Sequence, residues 1–367
     1  MDKNSRLMSL DTLRGFDMFW ITGGAALVCA LGNAFGCPGA WWVKQMEHVP
    51  WHGLAFMDTI FPLFLFIAGV SFPYSLAKQI EKGRTKGQIH LKLVCRGLIL
   101  CFFGLVIGGI FDLKPNFRIP SVLARIGLGW MFAAIIFVNV KSNLRRALVA
   151  AGLLVGYWAA LRFSVGAGAD PYSVQNCLPC RLDRLVMPEH IFCRVSSCGD
   201  AAYDPESLFS TFPGIVTAML GMFAGTFLRE SSASGGRKTL AMLAVAVALL
   251  GAGLIFPMPV NKALWSSSFV LVVGAYSLAM LAVFYWIIDV KGCTRWTTYF
   301  RVIGMNSITI YMAQRFIDFK GIGKFFLGGV AGLCGNPWDG VVLALGRLAV
   351  VWIFLYFLYR KNVFLKV

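Results

Sequence analysis

Apolar residues in this chain gather in long blocks with few charges, separated by short polar or basic segments. Blocks of about 18–24 residues, coiled as helices, are long enough to cross the ~30 Å hydrocarbon layer of a bilayer. Ten such blocks occur, at 16–35, 54–77, 91–111, 121–138, 145–163, 212–228, 240–256, 266–288, 298–317 and 340–359. They predict an all-α fold: a polytopic membrane helix bundle of about ten spans, with 1–367 as a single transmembrane domain. The apolar stretch 325–334 is short and rich in glycine, and reads as a re-entrant or interfacial piece. There is no internal repeat and no separate soluble domain.

Composition agrees with this pattern. Of the 367 residues, 58% are hydrophobic and 14% charged, where a soluble domain carries roughly a quarter. The formal charge of +17 could point to nucleic acid, but the basic residues are spread between the apolar blocks instead of massed in one region. That spacing is the signature of membrane topology and argues against a nucleic-acid partner. If the N-terminus is cytoplasmic, six segments with at least three Lys or Arg each fall on the cytoplasmic side. They carry Lys3, Arg6 and Arg14; Lys78, Lys82, Arg84, Lys86, Lys92 and Arg96; Lys141, Arg145 and Arg146; Arg229, Arg237 and Lys238; Lys291, Arg295 and Arg301; and Arg360, Lys361 and Lys366. Both termini are then inside. No small-residue cleavage site follows the first block, so that helix is expected to act as its own insertion signal.

The chemistry concentrates in the stretch 47–69, EHVPWHGLAFMDTIFPLFLFIAG, which faces outward in this orientation. Asp58 lies inside an apolar block, where an ionised group costs roughly 2.5–3.5 kcal/mol and is by default a functional candidate. His48 and His52 precede it. A carboxylate near an imidazole fixes the ring and raises its basicity, as a general base or an acyl-accepting nucleophile requires. A helix cap or a structural hydrogen bond is the plainer use of the same residues.

Arg118 and Arg125 lie seven residues apart at the outer end of the fourth block, on one helical face. Arg125 has to meet an acid, Asp58 or Asp112, or a polar cavity. Asn306 and Gln314 add amides to the ninth block. At the opposite, cytoplasmic end, Asp11, Arg14 and Asp17 share a face of the first helix, suited to a salt-bridged entrance or to an anionic nucleotide. Trp41, Trp42 and Trp51 could stack on a sugar ring or anchor the interface.

The outward loop 164–211 carries Cys177, Cys180, Cys193 and Cys198, for which two disulfides are expected in an oxidising compartment. A zinc site with His190 is the sharper alternative. Cys37 and Cys334 also fall outward and could pair. No Walker loop, GxSxG elbow or HExxH pair is present, so ATP-driven transport and zinc hydrolysis have no motif support, and no metal is expected.

Beyond these residues, the chain resembles a known family. RLMSLDTLRGFDMFWI is similar to the R-x-x-S-x-D-x-x-R-G opening of the heparan-α-glucosaminide N-acetyltransferase-like membrane acyltransferases. The 47–69 stretch resembles their H-x-x-W-x-G-L-x-x-x-D-x-x-F-P-x-F-x-F-I segment. RIPSVLARIG, LDRLVMPEHIF, YDPESLFSTFPGIV, NKALWSSSFVL and GMNSITIYM resemble later blocks in the same order. The likeness is strongest to the bacterial branch, which implies a bacterial inner membrane.

The resemblance implies transfer of an acetyl group from cytosolic acetyl-CoA, as co-substrate, to the amine of a glucosamine-type sugar on the far side of the membrane. It places the reactive histidine at His48 and its acid at Asp58. Trp51, His52, Arg118, Arg125 and Asn306 become substrate-binding candidates, and Asp11, Arg14 and Asp17 cofactor-binding ones. Members differ at His52, where vertebrate members have Asn, and at Gln314, where they have His. Membrane lipid and a glycan acceptor are the implied partners, and self-association is left open. A secondary transporter using the same intramembrane groups for a sugar or small solute is the alternative.

Overall fold

The computed structural model describes residues 7–113 and 115–365. Lys3, Arg6 and Lys366, which entered the expected orientation, lie outside these residues. Fifteen helices make up the fold: α1 (Met8–Ala34), α2 (Trp41–Lys44), α3 (Phe56–Glu81), α4 (Lys86–Ile107), α5 (Val122–Asn139), α6 (Asn143–Arg162), α7 (Leu178–Val186), α8 (Val195–Cys198), α9 (Thr211–Glu230), α10 (Gly235–Ile255), α11 (Ser267–Val290), α12 (Thr297–Met305), α13 (Ser307–Phe316), α14 (Phe319–Cys334) and α15 (Asp339–Arg360). Nine of them, among the described residues, are long and apolar enough to span a membrane. The molecule is an all-α integral membrane protein.

α3 is the axis of the bundle. It packs against α9, α11, α5 and α1, and Leu63, Leu65, Phe66, Ile67 and Val70 are fully enclosed. A helix that is apolar on every side is stable only when surrounded. The tightest contact is with α9, where Gly221 and Gly225 sit one turn apart. A Cβ on Gly221 would lie 2.0 Å from the Phe66 carbonyl oxygen, and one on Gly69 would lie 2.2 Å from that of Ala218. Small residues at this spacing let two membrane helices bring their backbones together.

The ninth expected span, 298–317, is not one helix. It breaks at Asn306, where the backbone leaves helical geometry (φ −117°, ψ 26°) between α12 and α13. Asparagine is a poor helix-interior residue, and here its side chain caps no backbone N–H; Thr309 Oγ1 donates to its Oδ1 at 3.5 Å. The glycine-rich stretch 325–334 is the second half of α14. That helix packs along α15, with Phe319 against Phe354 at one end and a four-residue link at the other. α1 is also interrupted, by a π-helical turn at Trp20–Gly24.

Two ends result. At one, Asp11, Arg301, Arg360 and Asn362 line a common cleft, which places both described chain ends together with most basic segments. At the other, the loops after α1, α4, α6 and α10 converge. The 164–211 loop folds as α7 and α8 and is cross-linked by Cys177–Cys180 and Cys193–Cys198. The four cysteines are therefore not zinc ligands, and His190 bonds the Phe117 carbonyl instead. Cys37 and Cys334 are unpaired thiols.

Candidate active site

The N-terminus of α3 explains why an acid sits in an apolar block. Four backbone N–H groups at a helix start lack intrahelical partners. Gln45 supplies Oε1 to the Phe56 N–H at 2.9 Å, and Asp58 Oδ2 reaches back to the Ala55 N–H at 3.1 Å and the Val49 N–H at 3.3 Å. The carboxylate is thus a helix cap, favoured there by the helix dipole, and it is also more than a cap. Its second oxygen, Oδ1, receives His48 Nδ1 at 2.7 Å and the Lys262 ammonium at 3.2 Å.

That geometry fixes the tautomer of His48. A carboxylate only accepts hydrogen bonds, so the ring proton sits on Nδ1 and Nε2 keeps a free lone pair. The His48 side chain is 58% exposed while Asp58 is 1% exposed. A buried acid thus orients a largely exposed imidazole.

Lys262, on the loop between α10 and α11, completes the cluster, with Nζ 3.1 Å from His48 Nδ1. Burial lowers its ammonium below the ordinary lysine range, and Asp58 opposes that effect. The same loop holds His52: buried Asn261 lies 3.2 Å from its Nδ1, and the Gly53 N–H donates to the Val260 carbonyl at 2.9 Å. Lys262 and Asn261 open the NKALWSSSFVL block, but nothing in that block marks them individually as site residues.

The other loop-end candidates divide into two kinds. Trp51 donates Nε1–H to the Tyr172 carbonyl at 2.8 Å and packs edge-on against Tyr203, so it ties the 164–211 loop down over the site. Arg118 does the same through charge. Its Nε donates to Asp204 Oδ2 at 2.8 Å, and Nη2 meets Asp204 Oδ1 at 2.5 Å and Glu206 Oε2. These acids raise the guanidinium above its ordinary value in spite of burial. Arg125 is 2% exposed. It bonds Ser210 Oγ, and its guanidinium lies 4.7 Å over the Trp265 ring. Neither Asp58 nor Asp112 is its ion-pair partner; Asp112 faces Arg315 at 3.8 Å. Nε and Nη1 of Arg125 and Nδ2 of Asn306 have no hydrogen-bond partner among the described residues.

A second polar site lies at the basic end, about 20 Å away along α3, counted from Asp58 to Ser71. A cleft of ≈ 540 Å³ is lined by Asp11 and Arg14 of α1, Ser71 and Lys78 of α3, the link residues Lys82 and Arg84, and Lys92 and Arg96 of α4. Arg14 donates to Ser71 Oγ at 3.1 Å and pairs with Asp11 at 3.6 Å. Asp17 is not in this cleft. It lies deeper on α1, with both carboxylate oxygens buried and without hydrogen-bond partners among the described residues. One turn further on, Trp20 carries an unpartnered Nε1 and packs its ring on Phe56, at the start of α3. Unsatisfied polar atoms therefore occur on α1 between the two sites.

No family model matches the chain. It is similar to the human heparan-alpha-glucosaminide N-acetyltransferase, with 27% identity over 372 residues, and to the mouse enzyme of that name, also at 27%. The two alignments cover 85% and 86% of this chain. This likeness runs in the same direction as the resemblance of its sequence blocks to the heparan-α-glucosaminide N-acetyltransferase-like membrane acyltransferases. The chain spans about half the length of these curated relatives, 53% of the human protein and 54% of the mouse one. The blocks RLMSLDTLRG, EHVPWHGLAFMD and NKALW line the two polar clusters. The first lines the basic cleft, and the other two supply His48, Asp58 and Lys262.

Proposed function

We propose that the protein is a transmembrane acetyltransferase that moves an acetyl group from acetyl-CoA, taken up at the basic end, to the amine of a glucosamine-type sugar at the loop end. In this reading the basic end is cytoplasmic, as the positive-inside pattern requires, and the disulfide-bearing loops face an oxidising exterior. A bacterial inner membrane fits that arrangement. The observation that carries the proposal is the His48–Asp58 pair, with Nδ1 held at 2.7 Å, at one end of a helix whose other end borders a basic cleft of ≈ 540 Å³.

The residues fit a nucleotide thioester. Arg14, Lys82, Arg84 and Lys92 offer cations to its phosphates. Asp17, Trp20 and Asn306 present buried polar atoms without partners among the described residues, as the amides of an extended arm would need.

At the loop end the amine attacks the thioester carbonyl carbon, the C–S bond breaks, and thiol and amide are the products. Nε2 of His48 serves in one of two ways: it takes the proton from the attacking amine, or it first receives the acetyl group itself. Asp58 stabilises the imidazolium in either case, and Lys262 keeps Asp58 ionised. Donor supplied without acceptor separates the routes, because an acetyl carrier releases one equivalent of CoA. The function itself is tested by incubating purified protein with acetyl-CoA and glucosamine. N-acetylglucosamine and free CoA in equal amounts are expected, and their absence refutes the reading.

A further inference from the structure

Four carboxylates are buried at the loop end: Asp58, Asp183, Asp204 and Glu206. Three of them are fully used or out of reach. Both oxygens of Asp58 are taken by His48, Lys262 and two backbone N–H groups. Asp204 holds Arg118 with both oxygens and also accepts the N–H groups of Phe192 and Glu206. Asp183 has an unpartnered Oδ2, but that atom is sealed from any probe.

Glu206 differs. Its side chain is 7% exposed, Oε2 meets Arg118, and Oε1 has no hydrogen-bond partner among the described residues and is not sealed. Tyr203, three residues before it, packs edge-on against Trp51 with ring centroids 5.3 Å apart, so the carboxylate lies on the loop segment that meets the His48–His52 stretch. An acceptor that arrives as an ammonium ion meets the partly exposed cations Arg118 and Lys262. Only a carboxylate oxygen not already bonded to them can offset that repulsion at short range.

We infer that Glu206 is the acceptor-recognition carboxylate, with Oε1 receiving an N–H of a cationic primary amine and selecting it over a neutral sugar. The inference rests on the acetyltransferase reading and adds its specificity determinant. Glu206 moves no proton to the donor and is not the base; it seats the amine beside His48. Arg118, held by Asp204 and Glu206 together, fixes the position of the carboxylate, and Trp51 and Tyr203 pin the loop that carries it.

The test is steady-state kinetics of Glu206→Gln, which removes the charge and keeps the shape. The KM for glucosamine is expected to rise about 10- to 100-fold, the cost of one charge-assisted hydrogen bond. The KM for acetyl-CoA should stay within about threefold, and so should inhibition by a neutral methyl glucoside, because neither involves the charge. Glu206→Asp, which keeps the charge for Arg118 and withdraws Oε1 by one methylene, is expected to fall between the two and guards against a Gln variant that does not fold. An unchanged glucosamine KM in both variants, with an active wild type, overturns the inference. A wild type that transfers nothing to glucosamine overturns the acetyltransferase reading and this inference with it.

Discussion

The Lys262 ammonium and His48 Nδ1 share one oxygen of Asp58, at 3.2 Å and 2.7 Å. The two donors come from loops more than two hundred residues apart, and the carboxylate between them is the first-turn acid of the central helix. The shared oxygen makes the loop after α10 part of the site. It also explains how an acid can stay ionised where a lone charge would be expelled: an ammonium, an imidazole and two backbone N–H groups replace its water.

Lys262→Met should therefore damage both stability and activity. Removing one partner of a buried ion pair costs about 3–5 kcal/mol, and the 16% exposure of Lys262 places the expected loss at the lower edge, about 3 kcal/mol. Turnover should fall at least tenfold as the imidazole loses its fixed partner, with Lys262→Arg recovering most of it. Thermal unfolding in detergent and kcat check the two effects together. A Met variant with wild-type turnover would remove Lys262 from the site.

Neutralising the basic cleft should affect only the donor. Lys82→Gln with Arg84→Gln is expected to raise the KM for acetyl-CoA severalfold while the KM for glucosamine stays level. The defect should shrink at high salt, because exposed cations act through screened fields. An equal effect on both substrates would place the phosphates elsewhere.

How much of this was legible in the sequence depended on the kind of signal. Apolar length dominates a membrane helix, so eight of the ten blocks became uninterrupted spans, a ninth, 16–35, lies within α1, and 298–317 failed at a single Asn, a poor helix-interior residue. His48 and Asp58 were legible because ten residues and a helix start bring them together. Lys262 was not, because nothing local says which loop will fold over a site. The cations of 78–96 were ambiguous for a different reason: lysines that set topology and lysines that bind phosphate have the same composition. Only the shared wall with Arg14 and Ser71 separates the two. The partners of Arg118 lie 86 and 88 residues away in the loop it holds down, a link no local pattern announces.

The α3–α9 contact gives a prediction independent of catalysis. Gly221→Ala places a methyl 2.0 Å from a backbone oxygen that cannot move aside. Overpacking of this kind costs about 1–3 kcal/mol. Gly152→Ala, on α6 with nothing within 4 Å, should instead gain about 0.5–1 kcal/mol. Melting temperatures of the two variants should move in opposite directions; a tolerated Gly221→Ala would contradict the close packing.

Asp183 gives stability a pH dependence of unusual sign. Burial pushes its carboxyl up to about 7 from an ordinary 3.8. Between those values the folded protein holds a proton that the unfolded chain releases, so this group costs stability progressively as pH rises through the window, by a few kcal/mol at most. Asp183→Asn keeps the neutral form. Its stability relative to wild type should improve from about pH 5 to about pH 8, and a difference that does not vary with pH would refute the assignment.

The central proposal is that the protein moves an acetyl group across the membrane and that His48 takes part in the transfer. Protein reconstituted in one orientation, with acetyl-CoA outside at the basic face and glucosamine sealed within, tests it directly. N-acetylglucosamine should accumulate inside the vesicles with the wild type, and His48→Ala should lower its rate by about 10²–10⁴-fold. Accumulation at the wild-type rate in the His48→Ala vesicles would contradict the account.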